Sequence, residues 1–320
     1  MKLSTISPIL KNKYWCRVGA LILVFLGVAS LFIGKYPLSL EKLLSGDSLQ
    51  WRVFLTLRLS RTLVGIAGGF TLGVAGFVYQ TAFRNPLASP DIIGVSSGAS
   101  AGAAAVTVSA FVGALLAVVL ALGLSALDRG GKHQTIVLAG IAVHSLAQTA
   151  LMALKLTADP EQELAAIEYW IMGSLNGISL YSIGGNLLLS AFCVAALFLL
   201  HRQVVLLSAE EGEARMLGVD VTRLRLAILL VGTLAVAAVV SLTGLISFVG
   251  LLAPHAARML TKSNKNSTML LSGLAGGCLL CGADILARSA AATELPVSIF
   301  TSLIGAPFLV MLIIRGRRQV

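Results

Sequence analysis

The amino-acid sequence predicts an all-α polytopic membrane protein with about ten transmembrane helices, and three observations carry that prediction. The 320 residues are 57% hydrophobic and only 12% charged, about half the charged fraction of a soluble chain, and the mean hydropathy is +0.91. Apolar runs of about 20 residues recur along the chain, each able to cross about 30 Å of hydrocarbon as a helix. The 24 Lys and Arg outnumber the 14 Asp and Glu, and most of them fall in alternate connecting segments, as the positive-inside rule requires. Membrane topology therefore accounts for the net charge of +10, which does not point to nucleic acid. No linker or low-complexity stretch divides the chain, so residues 1–320 are expected to form a single transmembrane domain.

The first span covers about 18–34, behind Lys11, Lys13 and Arg17. No small-residue cleavage site follows it, so it reads as a retained helix rather than a signal peptide. A short amphipathic piece around Leu40–Leu44 follows outside the membrane. The second span runs from near Arg61 to Ala82 and carries Gly65, Gly69 and Gly73 at every fourth position, a spacing that lets helix backbones approach closely. Pro86 and Pro90, with Asn85 and Asp91, then make a rigid turn. Spans three to five are placed at about 92–109, 110–127 and 134–156. An external amphipathic helix is expected at about 161–172. Spans six to ten are placed at about 181–201, 226–246, 247–261, 268–287 and 296–314. An even number puts both basic ends in the cytosol.

The most polar interior stretch, Ser208 to Arg225, lies between two apolar runs. Ser208 with Glu211 fits a capping box, and Glu210, Glu211 and Glu213 sit at the positive end of a helix dipole. Arg215 suits the last turn, Gly218 the left-handed stop, and Asp220 the cap of a second short helix over Thr222–Arg225. Two short helices hinged at Gly218 on a membrane surface read as a docking platform for a cytosolic partner, with a well-capped surface loop as the plainer account.

Arg58, Arg61 and Arg288 fall at the outer ends of spans, on the side where basic residues are disfavoured. Arginine there suits recognition of an acidic partner. Interfacial snorkelling competes with that reading, and Asp284, one turn before Arg288, offers it a local pair. His144, with Gln148 one turn on, is an ionisable group within the fifth span. The two are candidates to line a polar pathway, a neighbouring-helix hydrogen bond being the alternative. Gly94-Val-Ser96-Ser-Gly98 matches the nucleophile-elbow pattern but lacks the preceding strand which that motif needs, so no catalytic residue is assigned. Cys278 and Cys281 lie inside an apolar run without further ligands, so neither a redox pair nor a metal site is read. No phosphate-binding GxxxxGK[ST] is present. If the protein works with ATP, a separate subunit binds it, and no cofactor is expected on this chain.

The run Asn85-Pro86-Leu87-Ala88-x-Pro90 through Gly94 and Gly98-Ala resembles the permeases of ABC importers for iron-siderophores, haem and cobalamin. So do Ile246-Ser247-Phe248-Val249-Gly250-Leu251 with Pro254-His255, Ala283-Asp284 with Arg288, Glu294-Leu295-Pro296, and Gly305-Ala306-Pro307. Ser60 and Ser298 stand where that family has proline and glycine. The resemblance implies the cobalamin-permease-like fold in the bacterial cytoplasmic membrane, with two permease subunits around a central pathway. It also implies a dimer of cytosolic ATPases and an external substrate-binding protein. By this resemblance Arg58, Arg61 and Arg288 would receive acidic residues of the binding protein. Glu213, Ala214, Arg215, Leu217, Gly218 and Val219 would form the ATPase-coupling segment. A ferric siderophore is the expected substrate, with haem or cobalamin as alternatives. An ion-coupled carrier using His144 is the alternative from another class.

Overall fold

A computed structural model of the protein describes residues 8–90, 99, 107–126, 133–161, 163–208, 220–291 and 293–316. The described residues are helical or connecting. Helices α1 (Pro8–Phe32), α2 (Leu40–Leu44) and α3 (Ser48–Val53) lead into a π-helical segment, Phe54–Leu59, and then α4 (Ser60–Ala82). After them come α5 (Thr107–Ala126), α6 (His133–Thr157), α7 (Glu163–Ile171), α8 (Leu180–Leu199) and α9 (His201–Leu206). The chain continues through α10 (Val221–Thr243), α11 (Val249–Thr261), α12 (Asn266–Ser289) and α13 (Val297–Gly316).

Nine of the ten expected spans correspond to these helices, and the third lies outside the described residues except for Ala99 and for 107–109, which open α5. The first, second and seventh spans begin earlier than expected, the first at Pro8 rather than about 18. The second span does not begin near Arg61, because helix continues unbroken from Ser48 to Ala82. The seventh begins at Val221 rather than about 226. Asp220 caps it by accepting from the N–H groups of Thr222 and Arg223 at 3.1 Å, so the expected second platform helix is this span's first turn. The eighth is only 13 residues, about 20 Å long, too short to cross the hydrocarbon alone. It is entered through Phe248 at φ 69° and left through Lys262 at φ 50°, both in the left-handed region that L-residues rarely adopt. The helix expected at about 161–172 appears as α7, and Lys155 at the end of α6 reaches its Glu168 at 2.7 Å.

The centre of the bundle is α4, which packs against α12, α11, α10 and α8. Val64, Val74, Phe77, Val78 and Tyr79 on this helix are wholly buried, and the Tyr79 hydroxyl meets Thr233 Oγ1 of α10 at 2.6 Å. The glycines at every fourth position make the close approach possible. A Cβ at Gly69 would stand 2.4 Å from the Gly276 carbonyl oxygen, and one at Gly73 2.1 Å from that of Ser272. The outer faces of the peripheral helices are apolar and exposed, as at Leu21 and Phe25 of α1 and Leu188 and Phe192 of α8, which is the surface a lipid solvent requires.

Candidate functional site

The site of interest lies where α1 ends and α4 and the π-helical segment begin. A π-turn adds a residue per turn and rotates the side chains before it relative to those after it. Here it turns Arg58 inward, where Nη1 donates to the Ile33 carbonyl at 2.6 Å and Nη2 to that of Tyr36 at 2.9 Å. These carbonyls lie just past the end of α1, where backbone acceptors lose their intrahelical partners. A Cβ at Gly34 would fall 1.5 Å from Arg58 Nη1, so the glycine makes room for the guanidinium. Ser60, where the resembled family has proline, donates its hydroxyl to the Thr56 and Ile178 carbonyls at 2.7 and 3.0 Å, a contact proline could not make. Ser298 likewise donates to the Leu245 carbonyl at 2.7 Å.

The arginines expected to face outward are turned into the protein. Arg58, Arg61 and Arg288 are 5%, 6% and 2% exposed. Arg61 Nε meets Asp284 Oδ1 at 2.7 Å and its Nη1 meets Glu294 Oε2 at 2.9 Å. Arg288 Nη2 lies 3.4 Å from Asp284 Oδ2, the pairing one turn apart that the sequence offered. The same Nη2 donates to Ser30 Oγ, which in turn meets Thr62 Oγ1 at 2.7 Å. One network thus fastens α1, α4, α12 and the segment before α13. Three guanidiniums face two carboxylates, leaving an excess positive charge. Arg58 Nε, Arg61 Nη2, and Nε and Nη1 of Arg288 are buried without a hydrogen-bond partner among the described residues. A cavity of about 140 Å³ opens beside them, walled by these arginines with Lys35, Asn176 and Glu294. Buried donors without acceptors are costly in a native protein, so this wall is suited to take an anionic group.

A second polar cavity, about 250 Å³, lies at the other end of α4 and is walled by Gln80, Arg84, Ser208, Arg258 and Asn264. Twenty-three residues of helix separate the two ends, about 34 Å. Arg258 lies in the last turn of α11. Its guanidinium carbon sits 5.0 Å from the centre of the Phe77 ring. It donates to Gln80 Oε1, to Thr81 Oγ1 at 3.2 Å and to Asn264 Oδ1 at 3.3 Å. Arg84 Nε donates to the Leu207 carbonyl at 3.0 Å, tying this end of α4 to the start of the polar stretch. Ser208, read as a helix cap, donates its hydroxyl to the Val205 carbonyl at 2.6 Å. Glu213, Ala214, Arg215, Leu217, Gly218 and Val219 lie outside the described residues, as do Gly94, Ser96 and Gly98.

His144 and Gln148 are half-buried on α6, remote in sequence from both cavities. This helix packs on α5 and buries Ala139, Val143 and Leu151. Ser145 and Thr149 lie on its exposed side, their hydroxyls donating back to the Ile141 and Ser145 carbonyls at 3.0 and 2.9 Å. Among the described residues no cluster of three or more His, Cys, Asp or Glu could hold a metal ion.

Comparison with known proteins places this architecture. The model of the FecCD transport family matches residues 22–315. The hemin transport system permease protein HmuU of Yersinia pestis is 34% identical over 93% of this chain and 95% of its own. The cobalamin import system permease protein BtuC of Halobacterium salinarum is 38% identical, covering 81% of this chain and 72% of the relative. A probable iron chelatin transport system permease protein of Helicobacter pylori is 33% identical over 93% of this chain and 97% of its own. Among solved structures, an inward-facing conformation of a metal-chelate type ABC transporter superposes with a TM-score of 0.83 at 32% identity, covering 94% of this chain and 98% of that one. With the family matched over nearly the whole chain and the helical fold shared with a solved transporter, the protein belongs to the FecCD transport family: it is a multi-pass permease subunit of an ABC importer, and the ATPase is a separate subunit.

Proposed function

We propose that this permease carries a ferric siderophore, pairing with a second permease subunit, a dimer of cytosolic ATPases and an external substrate-binding protein. The observation that carries the reading is the placement of two polar, positively charged cavities at opposite ends of one buried helix, α4. In this reading both termini are cytosolic. The arginine-walled cavity then faces outward, and a carboxylate of the binding protein reaches the unpaired donors of Arg58, Arg61 and Arg288 from above. The cavity at Arg258 faces the cytosol, the side on which the segment Glu213–Val219 engages the ATPase. Helix α6, with His144 and Gln148, borders the pathway on its exposed side. ATP-driven movement of the coupling segment acts on α4 through the Arg84–Leu207 contact, and the pathway opens alternately to the two sides. The siderophore choice rests on the iron-chelate relative and on the Ser89-Pro90-Asp91-Ile-Ile-Gly-Val turn. The hemin relative, similar over as much of the chain, keeps haem as the second reading.

Uptake by a permease-deleted strain expressing this chain with its ATPase and binding protein tests the proposal. Iron from a ferric siderophore is expected to accumulate and to stop when the ATPase is inactivated. Accumulation of haem or cobalamin alone would replace the substrate. Uptake driven by a proton gradient without the ATPase would favour a carrier built on His144. In the same assay Gly218→Val is expected to leave ATP hydrolysis running while uptake falls about tenfold or more, because a branched residue resists the left-handed conformation of a helix stop. Wild-type uptake in that variant would remove Gly218 from the coupling device.

A further inference from the structure

A surface on the far side of the bundle from the arginine pocket is unexplained by transport. Asn12 of α1 donates to Ser263 Oγ and Ser267 Oγ at 3.3 Å each, and Cys16 Sγ donates to the Ser267 carbonyl at 3.4 Å. These contacts bring Lys11, Lys13 and Arg17 of α1 beside Lys262 and Lys265 of the turn between α11 and α12. Lys13, Arg17, Lys262 and Lys265 are exposed. The sequence has no Asp or Glu from Met1 to Leu40, nor from 221 to 283, and among the described residues no carboxylate pairs with any of the five cations. Helix α12 opens here with no acidic residue in its first turn, so the positive end of its dipole adds to theirs. Asn12 Oδ1 and Trp15 Nε1 are buried here without a partner among the described residues, and a buried indole N–H normally has one.

The same face of α1 continues as a lipid-facing stripe. Lys13 and Arg17 are followed at helical spacing by Leu21, Val24, Phe25 and Val28, exposed by 70%, 64%, 72% and 52%. From Arg17 to Val28 the helix rises about 16 Å, close to half of the hydrocarbon core. Exposed Tyr14 stacks edge-on against Trp15 at 5.5 Å, at the depth where aromatic residues meet headgroups. Cations, the exposed Tyr14 and an acyl-length apolar stripe therefore lie in the order headgroup, interface, tail.

We propose that this face binds an anionic phospholipid, its phosphate held among Lys13, Arg17, Lys262 and Lys265 and its acyl chain along Leu21–Val28. Such a lipid bridges α1 to the α11–α12 turn and so steadies the edge of the bundle on which α12 and α4 are packed. The inference rests on the membrane-spanning fold and not on the substrate, so the uptake experiment and this one fail separately.

The test is lipid retention by the purified full-length protein in mild detergent, exchanged against mixed micelles of phosphatidylglycerol and phosphatidylcholine and read by native mass spectrometry. The wild type is expected to keep phosphatidylglycerol about tenfold over phosphatidylcholine, each basic residue near the headgroups contributing. The variant carrying Lys13→Gln, Arg17→Gln, Lys262→Gln and Lys265→Gln is expected to lose that preference, and Lys42→Gln, at the opposite end of the bundle, to keep it. Should the fourfold variant fail to assemble, Lys262→Gln with Lys265→Gln is expected to lower the preference about threefold. Equal retention of the two lipids by the wild type, or undiminished preference in the variants, would overturn the proposal. Displacement of the lipid by soluble glycerol phosphate at equal concentration would do the same, since that molecule has the phosphate but no chain for the stripe.

Discussion

Asp284→Asn is expected to destabilise the protein by about 3–5 kcal/mol, the usual consequence of removing one partner from a buried ion pair. Asp284 is 1% exposed and serves two guanidiniums, Arg61 at 2.7 Å and Arg288 at 3.4 Å. Its loss leaves Glu294 as the only carboxylate among the described residues facing three buried arginines. Asparagine keeps the shape and one acceptor, so the effect isolates charge from packing. Adding Arg288→Met to Asp284→Asn restores the original excess of one positive charge and is expected to recover part of the loss. Thermal unfolding in mild detergent, followed by fluorescence-detected size exclusion, measures both. Wild-type stability in the single variant would show that the network is not held by Asp284. Equal instability of single and double variants would show that stranded charge is not the cause.

Gly73→Ala should be nearly as damaging, although it adds one methyl group. The new Cβ would stand 2.1 Å from the Ser272 oxygen and 2.9 Å from its carbonyl carbon. Backbone cannot rotate aside as a side chain can, so α4 and α12 must separate and lose contact along their length. Overpacking of this kind costs about 1–3 kcal/mol or more. Gly65 on the same stripe is the control. A Cβ there meets nothing nearer than 3.7 Å, an ordinary contact, so Gly65→Ala is expected to melt within about a degree of the wild type, as substitutions without a named steric or polar defect do. If both alanine variants melt alike, the glycine contact is not what sets the helix separation.

These two cases also divide what could be read from the chain. The repeat of Gly65, Gly69 and Gly73 is visible in consecutive residues, and it announced a close helix contact before any partner was known. Asp284 and Arg288 are four apart on one helix, so their pairing was legible too, as was the Asp220 cap. All of these depend on geometry that recurs every three to four residues. The π-helical turn at Phe54–Leu59 left no such mark, and the start of the second span was misplaced for that reason. With a regular helix beginning near Arg61, Arg58 reads as an outward cation rather than as a group folded over the end of α1.

The class of the molecule is written in its composition: a chain this apolar, with most of its basic residues in alternate loops, can satisfy its backbone in lipid only as a bundle of helices. Its family followed from motifs in the right order. Tertiary structure alone decided where the arginines went. Arg61 finds Asp284 at a separation of 223 positions and Glu294 at 233, and Arg258 finds Phe77 and Gln80 across the core. Local periodicity cannot encode such choices, because the partner of a buried charge is whichever opposite or polar group packing brings within reach, and that depends on the glycine contacts that draw α4 and α12 together.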